Sequence, residues 1–271
     1  TKDLVDGTRG FKDTEFTADS FIFATGGASH PETGSTGDGF KWLAKMGHTT
    51  KNPTPNVVPL EVDTPWVKEL SGTSLSFMNI SFYADDKKMF SKTGKILFTH
   101  FGLSGPLIMN SSSEVKDLLE WSHVTARIDA FPDTEFPALE KRVTKIFDDN
   151  KNKDFKNVYM EIAPEGIAEA TIGELGFDTN KKVHSITKEE RKMIVHFLKA
   201  MPISIRGLMG YNRSVVSDGG VILEEVDMKT MRSKLFENLY FTGDLLNINR
   251  PSGGYSLQLC WTTGYVAGMN A

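Results

Sequence analysis

The sequence has almost no cysteine and no long apolar run. Of its 271 residues only Cys260 is a cysteine, so an internal disulfide or a cysteine-rich zinc site cannot form. No stretch approaches the roughly 20 consecutive apolar residues that a membrane-spanning helix needs, and no charged-then-apolar leader opens the chain. These absences predict a cytoplasmic protein with no membrane partner.

The chain also lacks a large excess of charge of either sign. The chain carries 31 lysines and arginines against 35 aspartates and glutamates, a net charge of −4, which provides no basic field for a polyphosphate backbone. The sequence therefore disfavours nucleic acid as the main partner and favours a small-molecule substrate. Two lysine clusters, at 151–156 and 181–182, are interpreted as solvated helix surface.

Several well-known motifs are missing. The chain contains neither G-x-G-x-x-G nor G-x-x-x-x-G-K-[ST], so the usual pyrophosphate cradle of a first βα turn is absent. It contains no G-x-S-x-G nucleophile elbow, which argues against hydrolase chemistry. The six histidines do not have the spacing of metal ligands, so no metal site is expected. The chain starts at Thr1 without an initiator Met, and we expect it to be a piece of a longer protein.

Two apolar strands that run into glycine are predicted at opposite ends of the chain. Residues 20–24 are interpreted as a buried strand that meets Gly26-Gly27, and residues 239–241 as a strand that meets Gly243. We expect both strands in one α/β layer, with ligands beyond their carboxyl ends, where a missing Cβ allows backbone contact. Asp244 can there accept hydrogen bonds from a polyol, although a turn or helix-cap role fits it equally well.

A glycine-led helix is predicted from Gly253-Gly254-Tyr255 to Gly268. Its first amides and the positive end of its dipole would be accessible to an electron-rich carbonyl or an anion. Tight strand-helix packing is the alternative explanation for its glycines.

The central part of the chain predicts inserted elements. Residues 62–131 have the pattern of an all-β segment, a sandwich or a barrel, and residues 132–198 have helical spacing. Thr187 and Glu190 form a capping box that starts one helix. Asp218-Gly219, between the apolar runs Val215-Val216 and Val221-Ile222-Leu223, predicts a hairpin turn.

Several longer strings of residues carry a family resemblance over nearly the whole chain. They are A-T-G-G at 24–27, T-G-S-T-G-D-G at 33–39, L-F-T-H-F-G-L-S-G-P at 97–106, T-M-R-S-K at 230–234 and G-G-Y with Gln258 at 253–258. With these strings the sequence resembles the three-domain bacterial flavoproteins known as NAD(FAD)-utilizing dehydrogenases, the aminoacetone oxidase-like family.

The resemblance implies an α/β plus β fold. Residues 1–58 and 217–271 would form a partial glutathione-reductase-type FAD-binding domain that lacks its N-terminal βαβ unit. A β-barrel-like domain, residues 59–131 and 199–216, would interrupt it and carry a small helical domain, residues 132–198. FAD is the implied cofactor, with NAD(P)H as a candidate electron donor. The implied cofactor-binding residues are Thr25, Gly26, Gly27, Gly243, Asp244, Gly253, Gly254, Tyr255, Ser256 and Leu257.

The predicted function is that of an FAD-dependent oxidoreductase, an oxidase, dehydrogenase or reductase of a small organic substrate, for the full-length parent protein. The resemblance assigns no catalytic side chain. Two alternatives remain open: a flavin-containing RNA-modifying or RNA-binding protein, and an inactive substrate-domain fragment. The family usually has Glu at position 244 and Asn at position 256. The implied backbone contacts with FAD therefore carry over to this chain better than the contacts of polar side chains.

Overall fold

The computed structural model describes the backbone of residues 2–5 and 8–11 and the whole of residues 15–271. The strands, numbered in chain order, are β1 Lys2–Val5, β2 Thr8–Phe11, β3 Phe21–Phe23, β4 Thr50–Asn56, β5 Leu60–Val62, β6 Ser74–Ala84, β7 Lys87–Thr99, β8 Gly102–Ser104, β9 Val124–Asp129, β10 Met201–Leu208, β11 Val216–Val221, β12 Val226–Asp227, β13 Arg232–Ser233 and β14 Leu239–Phe241. The α-helices are α1 Asp38–Lys45, α2 Pro65–Glu69, α3 Pro106–Met109, α4 Ser112–Leu119, α5 Phe136–Asp149, α6 Phe155–Ile162, α7 Ala168–Thr171, α8 Lys188–Lys199 and α9 Tyr255–Asn270. Short 3-10 helices lie at Pro31–Thr33, Ile172–Leu175, Val183–Ser185, Tyr211–Arg213, Leu223–Glu225 and Gly243–Leu245.

The middle of the chain forms a closed antiparallel barrel. Its strands pair in the order β10-β5-β8-β7-β6-β9, and β9 pairs back to β10. Alternate residues such as Ile80, Phe82 and Ile128 are fully buried inside it, as expected when successive side chains point to opposite faces of a strand. The predicted barrel is therefore present.

The prediction that residues 62–131 are entirely β is wrong, because three short helices interrupt them. Pro65 and Pro106 begin α2 and α3, a position where proline is favoured because its missing N–H would have no intrahelical acceptor. Trp66 of α2, Ile108 of α3 and Val115 of α4 are buried in the hydrophobic cluster of the barrel. The helices thus complete the barrel core.

Helices α5, α6 and α8 pack around a second hydrophobic cluster, which includes Leu139, Phe155 and Ile194. The predicted capping box is confirmed at the start of α8. The Glu190 amide donates to Thr187 Oγ1 at 3.1 Å, and the Thr187 amide donates to Glu190 Oε2 at 2.9 Å. This helical unit is inserted between β9 and β10 of the barrel.

A third cluster surrounds a sheet of order β12-β13-β14-β3, in which β14 and β3 are parallel. The two predicted glycine-ended strands are therefore neighbours. All of β14 is buried, but the prediction of a buried strand at 20–24 is wrong. Phe21 is 38% exposed and Ile22 44% exposed, and among the described residues β3 lies at the edge of the sheet and pairs with β14 alone.

The predicted hairpin at Asp218-Gly219 is also wrong. Strand β11 runs straight through this point and pairs antiparallel with β4, with a register shift between Asp218 and Gly220. Gly219 and Gly220 have φ of +107° and +112°, which glycine adopts at little steric cost. The two glycines therefore form a bulge in one strand instead of a turn between two.

Among the residues that the structure describes, no helix has the length and apolarity needed to cross a bilayer.

The buried hydroxyl of Tyr159 predicts a loss of stability at alkaline pH. Burial raises the pKa of Tyr159 to about 12 from 10.0, although its hydrogen bond with Thr171 acts in the opposite direction. Because the folded state holds the proton more tightly than the unfolded state, this stability is complete below about pH 10 and is lost as the pH rises toward 12. We expect the Tyr159→Phe variant to be less stable by about 1 kcal/mol at pH 8 and to lack this part of the alkaline decline.

Urea unfolding of both proteins at pH 8, 10 and 11 measures the effect. Tyr265→Phe is the matched control, because Tyr265 is 70% exposed. Equal alkaline declines in Tyr159→Phe and in the unmodified chain would contradict the assignment.

Candidate functional site

The candidate site lies at the carboxyl ends of β3 and β14. Phe23 is in register with Phe241, and the Thr242 amide donates to the Phe23 carbonyl oxygen at 3.1 Å. The chain after β3 thus runs beside the chain after β14. A Cβ built on Gly27 would lie 3.3 Å from the Asp244 Cβ. The structure therefore brings together the predicted site residues at both ends of the chain.

Absent side chains allow this close approach. A Cβ on Gly27 would overlap the Ser217 Oγ, which accepts a hydrogen bond from the Ala28 amide at 2.9 Å. Gly243 has φ of +59°, and a Cβ there would lie 3.0 Å from the Cys260 Sγ of α9. The backbone after both strands is therefore in direct contact with β11 and α9.

Thr25 packs tightly against helix α1, a contact that the sequence does not predict. Its Oγ1 occupies the position that a Cβ on Gly39 of α1 would take. Gly26, with φ of +71°, then turns the chain toward Gly27. The Thr25-Gly26-Gly27 segment is thus shaped by contacts of its own with α1 and β11.

Asp244 forms an ion pair with Arg250. Arg250 is only 6% exposed, and its Nε donates to Ser256 Oγ of α9 at 3.0 Å. Burial raises the pKa of the Asp244 carboxyl, and the charge of Arg250 offsets part of the shift. Sequence reasoning missed Arg250, and a lone arginine before a glycine pair offered no signal of its role.

The start of α9 is accessible. Gly253 and Gly254 have φ of +109° and +92°, and no side chain caps the helix. A Cβ on Gly254 would meet open space. A cavity of about 170 Å³ lies here, lined by Val57, Val215, Pro251, Ser252, Gly253, Gly254, Ser256 and Leu257. Tyr255, also predicted as a site residue, is 60% exposed.

A larger and more polar cleft adjoins this cavity. Its volume is about 500 Å³, and it shares Val57 and Pro251 with the smaller one. Polar residues from the barrel and from the loop before α9 line it, among them Lys92, Asn110, Glu114 and Asn249. Together the two cavities form an open space between the barrel and the start of α9.

A buried group elsewhere has the hydrogen-bond order of a catalytic triad. His48 Nδ1 lies 2.8 Å from Glu225 Oε2, and His48 Nε2 lies 3.1 Å from Ser233 Oγ. The Ser233 oxygen also accepts from the amides of Leu235 and Phe236, both at 3.0 Å, so its hydroxyl proton is the one that donates to His48.

This buried group is structural. Its serine is only 3% exposed and its lone pairs are occupied, so a substrate cannot reach a free nucleophile. Burial would raise the pKa of Glu225, but hydrogen bonds from Thr49 and His48 hold it below its ordinary value. The group therefore joins the start of β4 to β12 and β13. Sequence reasoning missed it because its members lie far apart in the chain.

Within the described part of the chain, no three His, Cys, Asp or Glu side chains gather in a way that could hold a metal ion.

These features define an α/β protein whose sheet is interrupted by a barrel and a helical unit, with an accessible helix start where the layers meet. The chain belongs to the HI0933-like family, because the family model described as "HI0933-like protein barrel and H2TH domain" matches residues 54–216.

Curated relatives are similar over most of the chain. A 3-dehydro-bile acid delta(4,6)-reductase of Clostridium scindens is 27% identical over 94% of this chain. Ribosomal RNA dihydrouridine synthases of Haemophilus influenzae and Escherichia coli are 28% and 25% identical over 95% and 91% of it. The chain spans 63%, 61% and 59% of the length of these relatives.

The packing at Gly27 predicts a steric effect of an added methyl group. Gly27 does not have a left-handed φ, so alanine can adopt its backbone, but the new Cβ would overlap Ser217 Oγ. We expect Gly27→Ala to lower the free energy of unfolding by about 1–3 kcal/mol. Chemical denaturation measures it.

Gly264→Ala is the matched control. A Cβ at Gly264 meets nothing within 4 Å, and alanine favours the helix by up to about 1 kcal/mol. Equal stability of the two variants would show that the contact at Gly27 is not tight.

Proposed function

We propose that this chain is the larger part of an FAD-dependent oxidoreductase and that its sheet belongs to a glutathione-reductase-type FAD-binding domain. Under this proposal residues 1–58 and 217–271 belong to the FAD domain, residues 59–131 and 199–216 to the barrel and residues 132–198 to the helical domain. The observation that carries the proposal is that Gly27 packs beside Asp244 and that Arg250 links Asp244 to Ser256 at the uncapped start of α9, which borders a cavity. Activity would belong to the full-length protein.

The strand ends fit the sugar-alcohol part of FAD. The Asp244 side chain is 20% exposed, and one of its oxygens is engaged by Arg250. The Asp244 Oδ2 lies 3.4 Å from the Cβ position of Gly27, so it stands beside the loop that follows β3. This oxygen would accept a hydrogen bond from a ribityl or ribose hydroxyl.

The start of α9 fits the electron-rich edge of a flavin. The first amides of a helix have no intrahelical acceptors, and the helix dipole is positive at this end. In this chain the amides of Tyr255, Ser256 and Leu257 hold these positions. Bound FAD would supply two electrons as hydride, and these amides would stabilise the negative charge of its reduced form and so raise its potential.

The exposed edge of β3 supports the presence of a further βαβ unit in the full-length protein. Phe21 and Ile22 of this strand are 38% and 44% exposed, and an open edge presents unpaired backbone groups to another strand. Helix α9 also exposes large apolar side chains, namely Leu257, Trp261, Tyr265 and Met269. A βαβ unit with the Gly-rich fingerprint would cover these surfaces and hold the pyrophosphate.

Flavin content tests the cofactor assignment. We expect the purified full-length protein to carry FAD, visible by its absorbance, and Asp244→Asn to weaken FAD binding about tenfold or more, because a charged acceptor is lost. Asp178→Asn, an exposed aspartate of the helical unit, is the control and should bind FAD normally. A colourless full-length protein that takes up no FAD would overturn the proposal.

The reaction we propose is the reduction of a carbon–carbon double bond conjugated with a carbonyl group. A delta(4,6)-reductase of a 3-dehydro-bile acid and a dihydrouridine synthase both bear names that describe such a reduction. Hydride would pass to one carbon and a proton to the other, with NAD(P)H as the candidate donor of the electrons. The substrate would lie in the cleft between the barrel and the start of α9.

RNA is the second candidate substrate, because two relatives are named ribosomal RNA dihydrouridine synthases. The charges of the helical unit favour a small molecule instead. Lysines in the two clusters of this unit pair with carboxylates, in the pairs Lys151–Asp148, Lys153–Glu161, Lys181–Glu190 and Lys182–Asp154. The carboxylates offset the net charge of these clusters, so the clusters provide little long-range field to attract a phosphate backbone.

A substrate comparison separates the two candidates. We expect the flavin-loaded full-length protein to oxidise NADH or NADPH faster with a cyclic conjugated ketone than with ribosomal RNA, with product masses increased by two hydrogens. Dihydrouridine formation in RNA that is lost at high salt would instead favour the RNA candidate. Failure with both would contradict the proposed reaction while leaving the flavin assignment to the absorbance test.

A further inference from the structure

A cavity of about 200 Å³ lies in the helical unit, away from the strand ends. It is formed by the C-terminal end of α5, the 3-10 helix Val183–Ser185 and the first turns of α8. Phe147 and Ile186 provide apolar walls, and the polar lining consists of Asp148, Lys151, His184 and Arg191. Three of these four side chains are cationic or become so on protonation.

Arg191 has a hydrogen-bonding need that the protein does not meet. Its Nε is buried and has no hydrogen-bond partner among the residues that the structure describes. The ion pairs of the helical unit join lysines to carboxylates, and among the described residues none of these pairs uses Arg191. An arginine side chain carries five N–H donors and keeps its proton. A buried donor of this kind normally has a protein, water or ligand partner.

The other basic side chains are held at the same cavity. The His184 ring donates from Nδ1 to the Lys151 carbonyl oxygen at 3.0 Å, and the His184 amide donates to the same oxygen at 3.0 Å. The Lys151 ammonium group lies 3.3 Å from Asp148 Oδ1, and both of these side chains are 61% exposed. An exposed pair of this kind is weak, so the lysine is free to turn to a stronger anion.

We propose that this cavity binds a phosphate group. The planar fork of Arg191 matches two oxygens of a phosphate, and Lys151 adds a second positive charge. Because the Nε is shielded from solvent, this contact would require the Arg191 side chain to rotate until Nε and a terminal nitrogen face the cavity that it lines. Phosphate esters of small metabolites and the phosphodiesters of RNA share this chemistry. The site lies in a hydrophobic cluster separate from that of the sheet, so the proposal does not depend on the flavin assignment.

Thermal unfolding of the full chain tests the proposal. The ligands are inorganic phosphate, a nucleoside 5′-monophosphate and a short single-stranded RNA, each titrated at ionic strength held constant with NaCl. We expect a saturable rise in Tm, because a ligand that binds only the folded state stabilises it. Arg191→Met should raise the half-saturating phosphate concentration about tenfold or more, since a charge-assisted bidentate contact is lost.

Two further variants keep the test decisive. Lys151→Met should also weaken the response, and it leaves in place the backbone carbonyl that holds His184. Lys192→Met is the matched control, because Lys192 is exposed on the same helix and its loss changes the net charge equally. We expect the control to respond as the unmodified chain does.

The three ligands distinguish the source of the phosphate. If the half-saturating concentrations of the monophosphate and of RNA are equal, the site is assigned to a phosphate ester of a small molecule. If RNA binds at a lower concentration than the monophosphate and Arg191→Met removes this difference, the site is assigned to a phosphodiester. The proposal is wrong if no ligand raises the Tm in a saturable way, or if Arg191→Met and Lys151→Met both respond as Lys192→Met does.

Discussion

The candidate site depends on one constraint: at the carboxyl ends of β3 and β14, glycines let backbone segments pack closely against their neighbours. A Cβ on Gly27 would overlap Ser217, and a Cβ on Gly220 would overlap the Leu245 carbonyl oxygen. With glycine at both positions, the loop after β3, strand β11 and the segment after β14 approach more closely than side chains would allow. Asp244 is thereby held beside the loop, at the point where the chain turns toward α9.

The inserted barrel and helices contribute to this site at their entry and exit. The chain leaves the sheet domain along β4 and returns along β11, and these strands pair with each other, with Asn56 opposite Val216. Just inside this pair, the Val215 amide donates to the Val57 carbonyl oxygen at 3.1 Å. Both valines line the cavity at the start of α9. An insertion with hydrophobic clusters of its own can thus fold around separate cores and still border the candidate site.

Sequence patterns succeeded where the stabilising contacts lie within a few residues. Thr187 and Glu190 cap α8 by bonding to each other's backbone, so three residues of separation are enough to announce this helix start. Patterns failed where contacts are distant. Strand β4 contains Pro53 and carries no strand pattern, yet it forms because β11 pairs with it. The Asp218-Gly219 turn signal was overridden by the same pairing, which uses the glycines for a bulge.

The sequence by itself determined the order of the segments, the two glycine-ended strands and the glycine-led helix, because each depends on residue type and on near neighbours. Only the tertiary structure decided that β3 is an exposed edge, that Arg250 joins Asp244 to the start of α9, and that His48 is a buried structural link. Such partners are brought together by the packing of whole elements. Their separation along the chain follows no fixed spacing, so no local pattern announces them.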